Sequence, residues 1–529
     1  MFDWLITGAR IVDGGGTPSF LGDAAIAGGR IAAVGSLPHL PAAHTLDAAG
    51  RVLCPGFVDI HRHGDAALFR PEYGKAELAQ GITSVVNGNC GLSAAPAEGP
   101  HAPELRRYLA PIVGELPPEG SFASVAACLG VAQAVPLRIS AGMLAGGGTL
   151  RACAAGLGDG PLSPEQLRSL HAALERALGD GALGVSLGLG YAPECFYTTA
   201  QLIEALAPLR DSGTVLTVHM RQEGDGVTEA LREMLEVARA LRTPVEISHL
   251  KAIGRRNWRR AVPEMLRLLA RAREEGTDVT CDVYPYTAGS TQLLHVLPPE
   301  AQAGGLEALG EKLRSPAGRA ALRRRLETGE DFENIVLLVG FDNILAGGLR
   351  CPEDRPFEGR SLAQLAQARG QDPFDALFDL LAREACGPSM IDFIAAEEDI
   401  ADILRAPFSS VISDATYPAG GRLHPRVYGM TARLLTRFVE QTHTLTLEEA
   451  VNRLTRRPAD RLGLKGKGRL EAGADADLVL FRPEDVREEG TYQEPEQYAR
   501  GFSWVFVNGV PAVAEGRFTD AFAGRVLRR

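Results

Sequence analysis

Lysine is nearly absent from the 529-residue chain. It occurs only at Lys75, Lys251, Lys312, Lys465 and Lys467, and arginine supplies the other basic residues. A metal site built on lysine therefore has few candidates. Basic charge as a whole is in deficit, with 55 Lys and Arg against 66 Asp and Glu and a formal net charge of -11. A nucleic-acid binder needs a basic footprint, so this balance argues against that class, though not against a local basic pocket. The first residues, Met1-Phe2-Asp3-Trp4-Leu5, lack the basic segment and apolar core of a secretory signal. No run of about 18 uncharged apolar residues offers a membrane span. The eight cysteines, scattered from Cys54 to Cys386, include no CxxC pair and form no disulfide framework. The expectation is a cytoplasmic protein with neither membrane nor nucleic acid as partner.

What is present suits a large globular protein. The chain is 45% hydrophobic and 23% charged, which supports a sizeable core. Its length corresponds to two to four domains, or to one large α/β barrel with attachments, at roughly 100–200 residues per domain. The first 55 residues contain short strand-like runs around glycine turns, such as Leu5–Val12 before Asp13-Gly14-Gly15. This is the texture of a small antiparallel sheet. It returns at the other end, in Leu478-Val479-Leu480-Phe481 and Trp504-Val505-Phe506-Val507-Asn508-Gly509. Chain ends often lie near each other, so residues 1–55 and 456–529 are expected to complete one small β domain.

Residues 56–455 alternate differently. Strand-like Phe57–Ile60, Ser84–Val86, Val215–Val218, Val245–Ser248, Val279–Val283 and Val411–Ser413 are interspersed with helical stretches near 201–210, 226–242 and 261–275. Such alternation indicates βα units and a parallel sheet. The region exceeds the about 250 residues of a plain eightfold barrel, and an insertion is expected near the Pro-, Leu- and Arg-rich stretch 292–334. Gly146-Gly147-Gly148 is read as loop.

Several strand ends carry residues suited to chemistry. His61-Arg62-His63 follows Phe57–Ile60, and residues two apart on extended backbone share one side, so both imidazoles can face one metal. A lone HxH pair is a weak signal. However, His219 and His249 also end apolar strands with a helix between them, and βα folds assemble distributed sites in this way. A buried, hydrogen-bonded histidine is the alternative for each. Asp414 follows Val411-Ile412-Ser413, where it suits either a turn or a metal. Cys90 lies in Gly88-Asn89-Cys90-Gly91, where it suits either packing or zinc, for which a thiolate is a good ligand.

Together these residues resemble the amidohydrolase superfamily, and more closely its D-aminoacylase branch, the N-acyl-D-amino-acid deacylases. The resemblance covers nearly the whole chain. It rests on Gly56-Phe57-Val58-Asp59-Ile60-His61-Arg62-His63-Gly64-Asp65, Gly88–Gly91, Gly184–Tyr191, His219–Asp225, Ser248-His249-Leu250-Lys251, Asp282–Thr291, Ser413-Asp414 and His424–Gly429. It implies a metal-dependent (β/α)8 TIM barrel with a small β-sandwich domain built from both termini. It places His61 and His63 after the first strand, Cys90 after the second, His219 and His249 after the fifth and sixth, and Asp414 after the eighth.

Many relatives bridge two metals with a carboxylated lysine on the fourth strand. No lysine lies between Lys75 and Lys251, so that bridge is excluded and Cys90 is its substitute. Glu194, the nearest carboxylate alternative, is discounted for its position in a loop. The resemblance implies one or two Zn2+ ions, one on Cys90, His219 and His249, and a second on His61, His63 and Asp414, with or without a share of the thiolate. The implied reaction is hydrolysis of an N-acyl-D-amino acid to a carboxylic acid and a free D-amino acid. Asp414 carries the proton, and Lys251, Tyr284 and Ser290 meet the substrate, with Tyr191 nearby. The residues Gly64-Asp65 and Ala415-Thr416 depart from the pattern of well-described D-aminoacylases, which leaves the preferred side chain open. The rival readings are a hydantoinase- or dihydropyrimidinase-like cyclic amidase and a non-catalytic barrel scaffold. A nucleobase deaminase would carry a glutamate-centred signature, which is missing.

Overall fold

The computed structural model of the chain describes residues 1–37, 40–117, 122–418 and 420–529. Its centre is a circuit of short parallel strands. Phe57–Asp59 pairs with Ile82–Asn87, which pairs with Ser140–Met143. Ala145–Gly146 prolongs that third strand and pairs with Gly184–Gly188. The ladder continues through Val215–His219, Val245–Ile247, Val279–Val283 and Ser409–Val411. It then returns to its start, because Ala415 and Thr416 pair in parallel with Arg62 and His63, and the Asp414 N–H donates to the His61 carbonyl at 3.0 Å. Nearly every residue of these strands is buried. This suits their largely apolar character, since parallel strands are covered on both faces.

Several helices between the strands are amphipathic. Val227–Leu241 buries Val227, Ala230, Leu231, Met234, Ala238 and Leu241, the three- and four-residue spacing of a single apolar stripe. Pro164–Gly179 begins with a capping box in which Ser163 and Gln166 satisfy each other's backbone N–H groups. The helical stretch expected near 201–210 is an α-helix only over Thr199–Ala205 and continues as a 3-10 turn, Ala207–Leu209. Pro208 has no N–H to prolong the α ladder.

The glycine run 146–148 is not a loop. Gly146 ends a strand and Gly147–Ala155 is a helix. The reason for glycine there is close packing: a Cβ on Gly146 would lie 2.5 Å from the Gly91 carbonyl oxygen. The turn carrying Cys90 thus rests directly on this backbone.

Both chain ends enter one nine-stranded sheet. The seam is the antiparallel pairing of Val52–Pro55 with Leu478–Phe481. Alternate side chains along this seam face opposite ways. Leu53, Leu478 and Leu480 join a core made from the terminal strands, while Val52, Cys54, Val479 and Phe481 join the main core. The terminal sheet is therefore glued to the parallel circuit by one face of the strands that tie its own two halves together.

The stretch 292–334 belongs to a longer excursion, 284–408, between the strands Val279–Val283 and Ser409–Val411. Its framework is an antiparallel sheet of Ala288–Gln292, Ile344–Gly347 and Ser389–Phe393, with the last in the middle. Between His61 and His63, Arg62 points the other way and is fully buried. It meets Glu77 at 2.8 Å and the Tyr417 hydroxyl, which itself donates to Glu77 at 2.6 Å. This cluster ties the end of the first strand to the segment after the eighth. Among the described residues, no helix is long and apolar enough to cross a membrane.

Candidate active site

The residues singled out at strand ends converge at one mouth of the circuit. The Cys90 sulfur lies 3.3 Å from His61 Nε2 and 3.4 Å from His249 Nε2. His219 Nδ1 is 3.1 Å from His249 Nε2. Asp414 Oδ1 stands 3.4 Å from His61 Nε2 and 3.3 Å from His63 Nε2. Two overlapping groups result, His61, His63, Cys90 and Asp414, and Cys90, His219 and His249, each with donor atoms within 4.8 Å of one another. Cys90 is common to both. All six residues are buried.

Backbone strain marks the same place. Cys90, His249 and Asp414 have φ of 53°, 37° and 51°, in the left-handed region that L-residues avoid. Such conformations persist where the surroundings over-determine them. Here the determinants are visible. Gly88 and Gly91 bracket Cys90. Asp282 accepts the His249 N–H. Asp59 accepts the Ser413 N–H at 3.1 Å and its hydroxyl at 2.6 Å, which fixes the turn into Asp414.

The electrostatics favour a bound cation. Burial alone would raise the Cys90 thiol, but His61 and His249 outweigh it and hold the thiol well below its usual value. Burial would also raise Asp414, yet Arg426, whose guanidinium is 3.0 Å away, and His63 hold it well below the carboxylate range. Burial would lower His63, but Asp414 and Cys90 lift it to about 9. The thiol and the carboxylate thus favour protons on His61, His63 and His249, whereas burial lowers His219. A divalent cation would take the place of those protons, and a set of imidazole nitrogens, one thiolate and one carboxylate suits zinc.

Further side chains orient these residues from behind. Glu223 Oε1 lies 3.0 Å from His249 Nδ1, and its other oxygen accepts from Lys251 Nζ at 2.6 Å. Burial would raise Glu223, but Lys251 and His249 hold it below the usual carboxylate range. A carboxylate behind a metal-ligating imidazole fixes the ring and its tautomer. Exchange of Glu223 for Gln is therefore expected to weaken zinc affinity by about 10–100-fold, read by competition with a chelating dye. Unchanged affinity would remove Glu223 from this role.

Lys251, Tyr284, Ser290 and Tyr191 line a single cavity together with His63, Cys90, His219, His249 and Asp414. The Tyr191 hydroxyl is 2.9 Å from Thr291 Oγ1, and Ser290 Oγ is 3.2 Å from Thr416 Oγ1. The Tyr284 hydroxyl is buried with no partner among the described residues, between Lys251 and Arg426 over its ring at 5.8 and 4.8 Å. Glu194 belongs to neither ligand group. It is buried, accepts the Gly188 N–H at 2.7 Å, and is pushed up to about 8 chiefly by burial.

Sequence reasoning overlooked Glu223, His295, Glu333 and Asp392, which also line the cavity, and left Arg426 unassigned. The signal for Glu223 was its spacing of four residues from His219. A third acid group, Cys351, Asp354 and Glu384, is already satisfied. Arg369 and Arg383 pair with Asp354, and the Arg350 and Cys351 N–H groups donate to Glu384.

Residues 44–513 match the model of the amidohydrolase family. A D-aminoacylase from Alcaligenes xylosoxydans xylosoxydans is 34% identical over 100% of this chain and 98% of its own length. An N-acyl-D-glutamate deacylase from the same organism is 32% identical over 100% of this chain and 96% of its own. A crystal structure of N-acyl-D-glutamate deacylase from Bordetella bronchiseptica, complexed with zinc and a phosphonate mimic of the tetrahedral intermediate, superposes with a TM-score of 0.83. It is 32% identical, and the match covers 100% of both chains.

Proposed function

Because the chain belongs to the amidohydrolase family, we propose that it is a zinc-dependent deacylase that hydrolyses the amide of N-acyl-D-amino acids to a carboxylic acid and a free D-amino acid. The observation that carries this reading is the convergence of Cys90, four histidines and Asp414 beside a cavity that also holds Lys251 and Tyr284. The D-hand follows the names of the relatives. The parallel circuit is read as a (β/α)8 TIM barrel over 56–455, and segments 1–55 and 456–529 as its β-sandwich. The eight cysteines are free thiols, which suits a cytoplasmic enzyme.

Cys90, His219 and His249 would hold one zinc ion, and His61, His63 and Asp414 a second. When bound, the metal lowers the pKa of water towards about 7 and polarises the acyl carbonyl. The remaining work falls to the chain. Asp414, kept ionised by Arg426 and His63, takes the proton of the attacking water and passes it to the amide nitrogen. This is general base and then general acid catalysis by one group. An unprotonated amine is a poor leaving group, so this transfer is what breaks the C–N bond. Lys251 and the Tyr284 hydroxyl receive the α-carboxylate, and Ser290 and Tyr191 shape the remainder of the cavity.

A cyclic amidase is disfavoured by the missing fourth-strand lysine. The test is the zinc-loaded enzyme with N-acetyl-D-methionine, N-acetyl-L-methionine and a 5-substituted hydantoin. Release of D-methionine is expected to be fastest. Faster ring opening, or an intact D-substrate, overturns the proposal.

A further inference from the structure

The cavity wall contributed by the 284–408 excursion is acidic. Asp392 lies on the central strand of its sheet, opposite Gly289 and Ile344, and is only 3% exposed. Its carboxylate passes close over Gly289, where a Cβ would stand 2.9 Å from Asp392 Oδ1. Only glycine leaves that path free. Among the described residues, no side chain hydrogen-bonds or ion-pairs with this carboxylate. Burial raises it and Glu333 raises it further, while the charges of His295, Lys251 and Arg426 draw it back, leaving it at about 6.

Among the described residues, these neighbours act on it through space and are each engaged elsewhere. Glu333 lines the same cavity and is occupied by His295 Nε2 at 3.2 Å and by the Glu223 N–H. Lys251 pairs with Glu223 and, in the reading above, is taken up by the α-carboxylate, and Arg426 pairs with Asp414. Beside the acids stand three apolar side chains, Ile253, Ile335 and Ile394.

We propose that this wall selects the side chain of the substrate: N-acyl-D-amino acids with a cationic tip on an apolar stem, lysine- or arginine-like, are preferred. The inference rests on the deacylase reading above. A buried carboxylate without a partner is costly, and a substrate cation that pairs with it removes that cost through a charge-assisted hydrogen bond. Lysine and arginine side chains carry an apolar stem below the charge, which suits the isoleucines. An acidic side chain would face Asp392 with no uncommitted cation to receive it, and specificity is built by such repulsion as much as by attraction.

The test uses the full-length, zinc-loaded enzyme and four substrates: the Nα-acetyl derivatives of D-lysine, D-arginine, D-norleucine and D-glutamate. Norleucine keeps the stem and lacks the charge. The expected kcat/KM for lysine or arginine exceeds that for norleucine by about tenfold or more, the scale of a hydrogen bond to a charged group, and glutamate is the poorest. In Asp392→Asn the ratio of lysine to norleucine is expected to fall towards one. Both substrates are read in one preparation, so partial loss of folded protein cancels. If the variant does not fold, the wild-type ranking alone decides. Norleucine or glutamate ahead of lysine and arginine, or an unchanged ratio in the variant, overturns the inference and leaves the deacylase reading standing. Four intact substrates with zinc bound would bring down both.

Discussion

Exchange of Asp414 for asparagine is expected to lower kcat by about 10²–10⁴, the usual contribution of a positioned acid–base group, while zinc stays bound. Asparagine keeps the size and can still accept from Arg426, 3.0 Å away, but it cannot carry a proton. Retention of metal follows from the grouping of ligands. Cys90, His219 and His249 form a set that does not include Asp414, so at least one ion per chain should remain even if a second is weakened. Steady-state kinetics and metal analysis on the same preparation check this. A variant that turns over near the wild-type rate would remove Asp414 as proton carrier, and one that loses all zinc would give it a structural role instead.

Exchange of Cys90 for alanine should act on the metal itself. Its sulfur belongs to both ligand groups and is the sole soft donor in them. Zinc affinity is expected to fall by more than the about 10–100-fold that loss of an outer partner costs, and activity should fall in parallel. The turn should survive, because alanine needs no more room than cysteine and the glycines around position 90 are untouched. Zinc bound at full stoichiometry in the variant, with undiminished turnover, would exclude the thiolate as a ligand.

These expectations differ in how far the residues alone could carry them. His61 and His63 were legible because alternation on an extended strand puts both on one side, and Arg62 between them faces away, as the period of two requires. His219 and His249 were legible as polar ends of apolar strands. Cys90 was ambiguous by itself; the family likeness raised it, and the left-handed backbone at Cys90 supplies a physical reason for its flanking glycines. The lysine at 251, expected to meet the substrate's carboxylate, also meets Glu223, 28 residues earlier in the chain. No local pattern announces that pair. Asp392 and Glu333 were invisible for a related reason. They come from an excursion whose antiparallel sheet brings 288–292, 344–347 and 389–393 together, and pairings across such gaps leave little trace in periodicity. The glycine run at 146–148 misled because its demand is close packing rather than a turn.

The seam between the chain ends has a consequence during synthesis. The Arg30 guanidinium donates to the Gly473 carbonyl, 443 residues further on, and Val52–Pro55 waits for a strand made slightly later still. At about 5–20 residues per second on the ribosome, the opening segment emerges tens of seconds before its partner exists. For that interval it presents an unfilled strand edge, the kind of surface that recruits other chains. Completion of the terminal sheet is thereby deferred until the strands from 478 onwards have been made, and a chain broken off before them would leave the seam at 52–55 unfilled.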